Sequence, residues 1–159
     1  MIAALVVMAC LVSGICIAAG GWGAISAVTS LAQDREDVTV VIDAFMHEME
    51  QEDAEGAYAL FSTRAQRQIP LSDLEELLEG NNYVLSEGYK CVTVSNISVS
   101  TAFNSKPNAP QGTVAEVSGP VTYAGGFTGR FTAVLEKEGD EWKLHHINIT
   151  VPPDKFGSP

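Results

Sequence analysis

Residues 1–33 contain no Lys, Arg, Asp or Glu and are rich in Ala, Val, Ile, Leu and Gly. All 9 basic and all 20 acidic residues follow, beginning with Asp34, so the net charge of −11 belongs to the rest of the chain. A helix of about 20 apolar residues crosses the hydrocarbon core of a bilayer. This feature predicts three parts: a transmembrane anchor with a juxtamembrane helix (1–33), an acidic domain (34–151) and a C-terminal tail (152–159).

Within the apolar run, residues 2–19 are the most hydrophobic, and Gly20-Gly21-Trp22-Gly23 interrupts them. Trp suits the headgroup interface, so the span is expected to end near Trp22, with residues 26–32 continuing as helix. The N-terminus lacks the basic residues of a signal peptide, which favours an uncleaved anchor. It carries only its amino group, which favours a cytoplasmic N-terminus and an extracytoplasmic domain.

Small residues recur within the predicted span at helical spacing. Cys10, Gly14 and Ala18 lie four residues apart, a pattern that allows two helices to approach closely in a membrane. This pattern predicts an integral membrane partner that packs against the N-terminal helix. The alternative is that Ala and Gly are simply common in single spans.

The composition of the remaining chain excludes several classes of function. A strongly acidic domain does not suit nucleic acid, because binding a phosphate backbone requires clustered Lys and Arg. Cys91 is the single cysteine outside the apolar run, so the domain cannot form an internal disulfide. Its position in a strand pattern predicts a buried structural thiol.

The first half of the acidic domain has a helical pattern. Apolar residues from Val38 to Met49 repeat at helical spacing, with His47 on the opposite, solvated side. A second short helix is expected from Glu52. A third follows Pro70, where Ser72 and Glu75 have the spacing of a capping box and Gly80 that of a C-terminal cap.

From Tyr89 the apolar period changes to two, which indicates strands. The apolar face switches near Ser95-Asn96 and again near His145-His146, so bends are predicted at both places. The strand over 113–123 is expected to break at Gly119-Pro120, and 138–140 form a tight turn. Helices followed by a bent antiparallel sheet predict an α+β domain with about three helices packed on one face.

This order of elements resembles a known superfamily. The likeness lies in an amphipathic first helix, in the segment Asp53-Ala54-Glu55-Gly56-Ala57-Tyr58-Ala59-Leu60-Phe61, and in strands that end in Gly139-Asp140-Glu141-Trp142-Lys143-Leu144. In these features the chain is similar to the nuclear transport factor 2-like proteins, also called the cystatin-like roll. The resemblance implies a cone-shaped roll of the membrane-anchored bacterial type. The superfamily includes ketosteroid isomerases and dehydratases, which use a Tyr and carboxylates inside the cone.

Proton-transfer chemistry of that kind needs a carboxylate in an apolar pocket. Asp43, Glu48 and Glu50 fall off the apolar stripe of their helix, so no catalytic residue is predicted. His145 and His146 are adjacent in a strand and point to opposite faces, so neither a metal site nor a cofactor is predicted. Tyr58, Arg130 and His146 are the candidates for lining a pocket.

We therefore expect a non-catalytic domain that acts as an accessory or assembly subunit of a larger membrane complex. The strands from Gly119 to Trp142 also resemble membrane-anchored cytochrome oxidase assembly proteins. The alternative function is binding or isomerisation of a small apolar ligand inside the cone. A buried carboxylate beside a pocket candidate would favour it, and an interior filled by aromatic side chains (Phe45, Phe61, Phe131 and Trp142) would exclude it. A pilin-like subunit ranks last, because the apolar run lacks an acidic residue.

Overall fold

A single long helix, α1 (Trp22–Glu50), opens the structure, a computed structural model that describes residues 22–79 and 81–156. The helix buries the stripe expected from its periodicity, and its core residues are Val38, Ile42, Phe45, Met46 and Met49. His47 lies on the solvated side, as expected. The helix begins at Trp22 and runs without interruption across residue 33.

The prediction of a transmembrane helix is corrected for the described residues, and residues 2–19 of the expected span lie outside them. No helix in residues 22–79 or 81–156 is both long and apolar enough to cross a membrane. The 29-residue α1 has the length, but the charged residues 34–37 lie near its middle. The predicted single-pass location with an extracytoplasmic domain depended on that helix, and it is corrected with it. Cys10, Gly14 and Ala18 lie outside the described residues.

Three short helices follow α1, which makes four α-helices in the described chain. Asp53 begins α2 (Ala54–Ala59) by accepting a hydrogen bond from the Gly56 N–H at 2.8 Å. Ser62 caps α3 (Thr63–Gln66) in the same way. The last, α4 (Leu71–Glu79), begins directly after Pro70, so Ser72 lies inside the helix and the predicted capping box is wrong. Gly80 lies outside the described residues.

Five antiparallel strands form one sheet: β1 (Tyr89–Val92), β2 (Asn96–Ala102), β3 (Gly112–Tyr123), β4 (Thr128–Glu138) and β5 (Glu141–Thr150). The order is β1-β3-β4-β5, and β2 continues along the same edge of β3 as β1. The helices pack against one face. The architecture is therefore α+β with a curled antiparallel sheet, as the apolar periods predicted.

Both predicted bends are confirmed. The first is the break between β1 and β2, where Thr93 N–H donates to the Pro120 carbonyl at 3.1 Å. A Cβ on Gly119 would lie 1.8 Å from the Thr93 carbonyl oxygen, so this close approach requires glycine. The expected break at Gly119-Pro120 is wrong, because β3 continues and its partner strand breaks instead. The second bend is the register shift of β5 at His145.

The C-terminal residues close one end of the domain. A short 3₁₀ helix (Pro153–Phe156) brings Lys155 over the Tyr123 ring at 4.2 Å. The Lys155 ammonium donates to the carbonyls of Val84 and Glu87, the latter at 2.8 Å. Burial raises the pKa of Tyr123 to about 12, and its hydroxyl donates to the Leu85 carbonyl at 2.8 Å.

Candidate binding surface

Aromatic side chains fill the space between the helices and the sheet. Phe45, Phe61, Phe131 and Trp142 are each at most 5% exposed. Phe45 and Phe61 contact edge to face, with their ring centroids 5.6 Å apart. Native interiors are close-packed, and each aromatic ring occupies volume that a ligand would need. The filled interior argues against an apolar ligand inside the cone.

Tyr58 does not line a pocket with the other two candidates. It lies on α2, where its hydroxyl donates to the Gln66 carbonyl at 3.0 Å. The Gln66 side-chain amide in turn donates to the Tyr58 carbonyl at 2.9 Å. This reciprocal pair fastens α2 to α3, so Tyr58 has a structural role.

Arg130 and His146 do share a surface. Arg130 opposes Thr150 and Val134 opposes His146 in the β4–β5 ladder, so both candidates lie on the face of the sheet opposite the helices. Val134, the partner of His146 in the ladder, lies four positions after Arg130, so the two candidates are about 13 Å apart along the strand direction. Both side chains are exposed, and neither makes a hydrogen bond or an ion pair with another residue in the described part of the chain.

Two adjacent depressions lie on this face. One, of about 370 Å³, reaches His146, and the other, of about 660 Å³, reaches Arg130. Asn96, Ser118 and Thr132 line both, so we treat them as one open-face groove across β2 to β5. Its lining combines hydroxyl and amide groups with apolar side chains such as Ile97 and Val134. Such a surface can exchange hydrogen bonds with a partner, but it holds no enclosed volume that excludes water.

A buried polar cluster that the sequence pattern did not indicate centres on Glu136, which is 2% exposed. Ser62 Oγ donates to its Oε1 at 2.6 Å, and the Gln111 N–H donates to its Oε2 at 2.9 Å. Arg64 Nε lies 3.3 Å from Oε2, and His145 Nδ1 lies 3.4 Å from Oε1. The cluster joins α3, the loop before β3 and the bend in β5.

The electrostatics of Glu136 follow from these contacts. Burial acts to raise its pKa, but the hydrogen bonds from Ser62 and Gln111 and the nearby His145 and Arg64 outweigh burial. The net result is a pKa below the usual range of a glutamate, so the group is an ion at neutral pH. Because these donors occupy its oxygens, Glu136 holds elements together and is not poised as a base. Glu136 was not among the candidate site residues that the sequence indicated.

A second polar cluster lies on the outside of α1. Tyr89 donates a short hydrogen bond to Asp43, and the His47 ring meets the Tyr89 ring edge to face at 5.2 Å. Burial and Asp43 both raise the pKa of Tyr89. Cys91, two residues along β1, is exposed, so the predicted buried thiol is wrong. Within residues 22–79 and 81–156, no three His, Cys, Asp or Glu side chains are placed to hold a metal ion.

Comparison with known proteins finds no match to a family model and no match among curated proteins. Similar solved structures do exist. A protein of unknown function with a cystatin-like fold from Nostoc punctiforme is 16% identical over 77% of this chain and 93% of its own, with a TM-score of 0.49. A protein from Streptomyces avermitilis, described as a candidate dehydratase of the nuclear transport factor 2-like family, is 17% identical over 77% and 98%, with a TM-score of 0.43.

A third structure, described as a candidate aromatic ring hydroxylase from Novosphingobium aromaticivorans, is 12% identical over 79% of this chain and 97% of its own, with a TM-score of 0.40. The first two descriptions name the superfamily that the sequence pattern resembles. At these levels of identity and similarity the three structures carry no argument about this chain. The membrane-anchored type that was expected is not shown by any of them.

Proposed function

We propose that this chain is a non-catalytic interaction domain that serves as an accessory or assembly subunit of a larger protein complex. The observation that supports the proposal is the filled interior: the cone-shaped space that related folds use for ligands is occupied by Phe45, Phe61, Phe131 and Trp142. The buried carboxylate Glu136 lines neither of the two depressions described above. Its oxygens already accept hydrogen bonds from Ser62 and Gln111. Function therefore falls to the outer surface.

The open-face groove is the first surface to test. Its hydroxyl and amide groups, together with the unpaired Arg130 and His146, offer hydrogen-bonding capacity that the domain does not use internally. Interfaces between proteins commonly combine such groups with bridging water. An open face that mixes polar and apolar groups suits a protein partner better than a small apolar molecule, which needs an enclosed cleft.

The experiment compares partner recovery by the tagged full-length chain and two variants. Thr132→Arg places a long cation at the centre of the open-face groove, where Thr132 is exposed. Ser72→Arg makes the same kind of change on the exposed side of α4 and is the matched control. Both should melt within a few degrees of the parent. We expect one specific partner to be recovered by the parent and by Ser72→Arg, and lost from Thr132→Arg.

Two results would overturn the proposal. The first is recovery of no specific partner by the parent chain under any mild extraction. The second is tight stoichiometric binding of an apolar small molecule that also protects the core amides from hydrogen exchange, because it would place the function inside the domain. Retention of the partner by Thr132→Arg would remove the open-face groove from the proposal.

A further inference from the structure

A second groove lies on the opposite side of the domain, between α1 and the β4–β5 turn. This helix–hairpin groove has a volume of about 390 Å³. Its apolar lining comes from Val40 and Val41 on α1, Leu60 after α2, and Trp142 at the start of β5. No residue of the open-face groove contributes to it. The groove is therefore a separate surface from the one considered above.

Val40 is unusually exposed for an aliphatic side chain in a helix. It is 63% exposed, whereas Val41 beside it packs partly against the core. A single exposed apolar residue is ordinary on a protein surface. Val40 differs because it is continuous with the partly buried Val41 and Leu60 across the groove, so a partner could bury all three together.

Trp142 lines the same groove, and its buried indole N–H has no hydrogen-bond partner in the described part of the chain. The residue is 4% exposed, and Lys137 covers one side of its ring at 5.0 Å. A buried indole N–H normally finds an acceptor, and leaving it unpaired is costly. Because the ring lines the groove, the indole resonance reports on an occupant there.

The charges of the groove specify the chemistry of its occupant. Asp37, Asp140 and Glu141 contribute carboxylates, and Glu141 is 76% exposed. The one cation in the lining, Lys143, lies 3.3 Å from the Glu141 carboxylate and is already paired. Excess carboxylate beside an apolar lining disfavours an acidic partner and attracts a basic one.

We propose that the helix–hairpin groove binds a peptide segment of a partner protein that carries an aliphatic side chain flanked by Lys or Arg. The aliphatic side chain contacts Val40, Val41 and Leu60, and the flanking cations pair with Asp37 and Asp140. This inference goes beyond the proposed function, because it assigns the chemistry of a ligand to a surface that the open-face test does not touch.

The test uses the full-length chain and a defined probe: a fluorescein-labelled peptide of three Lys-Leu-Lys repeats, with a peptide of three Glu-Leu-Glu repeats as its control. Binding is measured by fluorescence anisotropy at low and at high salt. We expect the basic peptide to bind, to weaken as salt rises, and to shift the Trp142 indole N–H resonance in a ¹⁵N-labelled sample. The acidic peptide should not bind.

Variants separate the groove from the general acidity of the chain. Val40→Lys places a cation in the apolar lining and should weaken binding at least tenfold, which corresponds to about 1.4 kcal/mol. Leu77→Lys makes the same change on α4, where Leu77 is 37% exposed, and should leave binding within twofold. Asp140→Asn combined with Glu141→Gln should weaken binding and flatten its dependence on salt.

Three outcomes would overturn the inference. Equal weakening by Val40→Lys and Leu77→Lys would show binding to overall negative charge. An unmoved Trp142 indole resonance at saturating peptide would place the peptide elsewhere. If Val40→Lys abolishes self-association of the chain in sedimentation and leaves peptide binding unchanged, the occupant is a second copy of this chain.

Discussion

The Glu136 cluster allows a prediction whose magnitude follows from the structure. Glu136→Gln keeps the size of the side chain, removes its charge and replaces one accepting oxygen by a donating amide. The cluster then has too few acceptors, because Ser62 Oγ, at 2.6 Å, and the Gln111 N–H, at 2.9 Å, each donate to a different oxygen of Glu136. Ser62 is fully buried, so water cannot replace a lost acceptor there.

A buried hydrogen bond to a charged group contributes about 1.5–3 kcal/mol, and breaking a buried charged pair costs about 3–5 kcal/mol. The Arg64 side chain is 29% exposed, so solvent screens its interaction with Glu136. The lower end of the range of about 3–5 kcal/mol therefore applies, which is about 3 kcal/mol. We expect Glu136→Gln to lose about 3 kcal/mol of unfolding free energy at pH 7. Glu116→Gln, an exposed and unpaired carboxylate on β3, is the control and should change stability by less than about 0.5 kcal/mol.

The effect must also depend on pH with a definite sign. The folded-state pKa of Glu136 lies below the unfolded value, so the unfolded chain binds more protons at this site as the pH falls. Its stabilisation is therefore full above the unfolded pKa, about 4.3, and is lost as the pH falls through the folded pKa. The parent and Glu136→Gln should differ most near pH 7 and converge on acidification.

Urea unfolding followed by far-ultraviolet circular dichroism, from pH 7 down to about pH 3, measures both quantities, with the slope m compared between variants. The reasoning would be refuted by a difference under about 1 kcal/mol at pH 7 with an unchanged m. It would equally be refuted by a difference that stays constant across the acid range, since the loss would then have no connection with the charge.

Two further predictions concern backbone packing and the buried tyrosine. Gly119→Ala should destabilise the domain by at least about 2 kcal/mol in urea unfolding, because its Cβ would lie 1.8 Å from the Thr93 carbonyl oxygen. Gly112→Ala is the control, because Gly112 has open space around it and the variant measures only the cost of its positive φ. A Gly119→Ala loss no larger than that of Gly112→Ala would contradict the clash. Tyr123 should titrate near pH 12 by absorbance at 295 nm, and stability should fall between about pH 10 and 12 because only the unfolded chain releases this proton there. Tyr123→Phe should remove the absorbance step near pH 12 and lessen the fall in stability, because Tyr89, whose pKa is also raised, keeps a share of it. If Tyr123→Phe instead removes absorbance at about pH 10, the ring is not buried.

Local patterns were sufficient for much of the fold. The apolar stripe of α1 and the alternation along β4 both report which face a segment buries, because each follows directly from the geometry of its own element. The two bends were visible for the same reason, since a change of face within a strand requires an irregularity. The break at Gly119-Pro120 was misplaced because glycine there serves the neighbouring strand, and the sequence of β3 does not contain that contact.

The candidate site was predicted only in part. Of the three candidates for lining a pocket, Arg130 and His146 lie on one face of the sheet, whereas Tyr58 hydrogen-bonds Gln66. Glu136 was missed because its partners lie 72 and 74 residues away at Arg64 and Ser62, a distance over which residue patterns carry no information. The helix–hairpin groove was missed for the same reason, since its lining comes from three separate segments.

The order of the chain thus establishes the α+β class, the acidic character of the domain and the faces that its helices and strands bury, because each depends on residues close together in sequence. Its long uncharged N-terminal run also suggested a membrane span, yet no helix in residues 22–79 or 81–156 is long and apolar enough to cross a membrane. Folding alone settles which polar groups become buried, which grooves form and whether the interior is filled. Those properties depend on the spatial meeting of distant segments, where packing and desolvation outweigh the preferences of any single stretch.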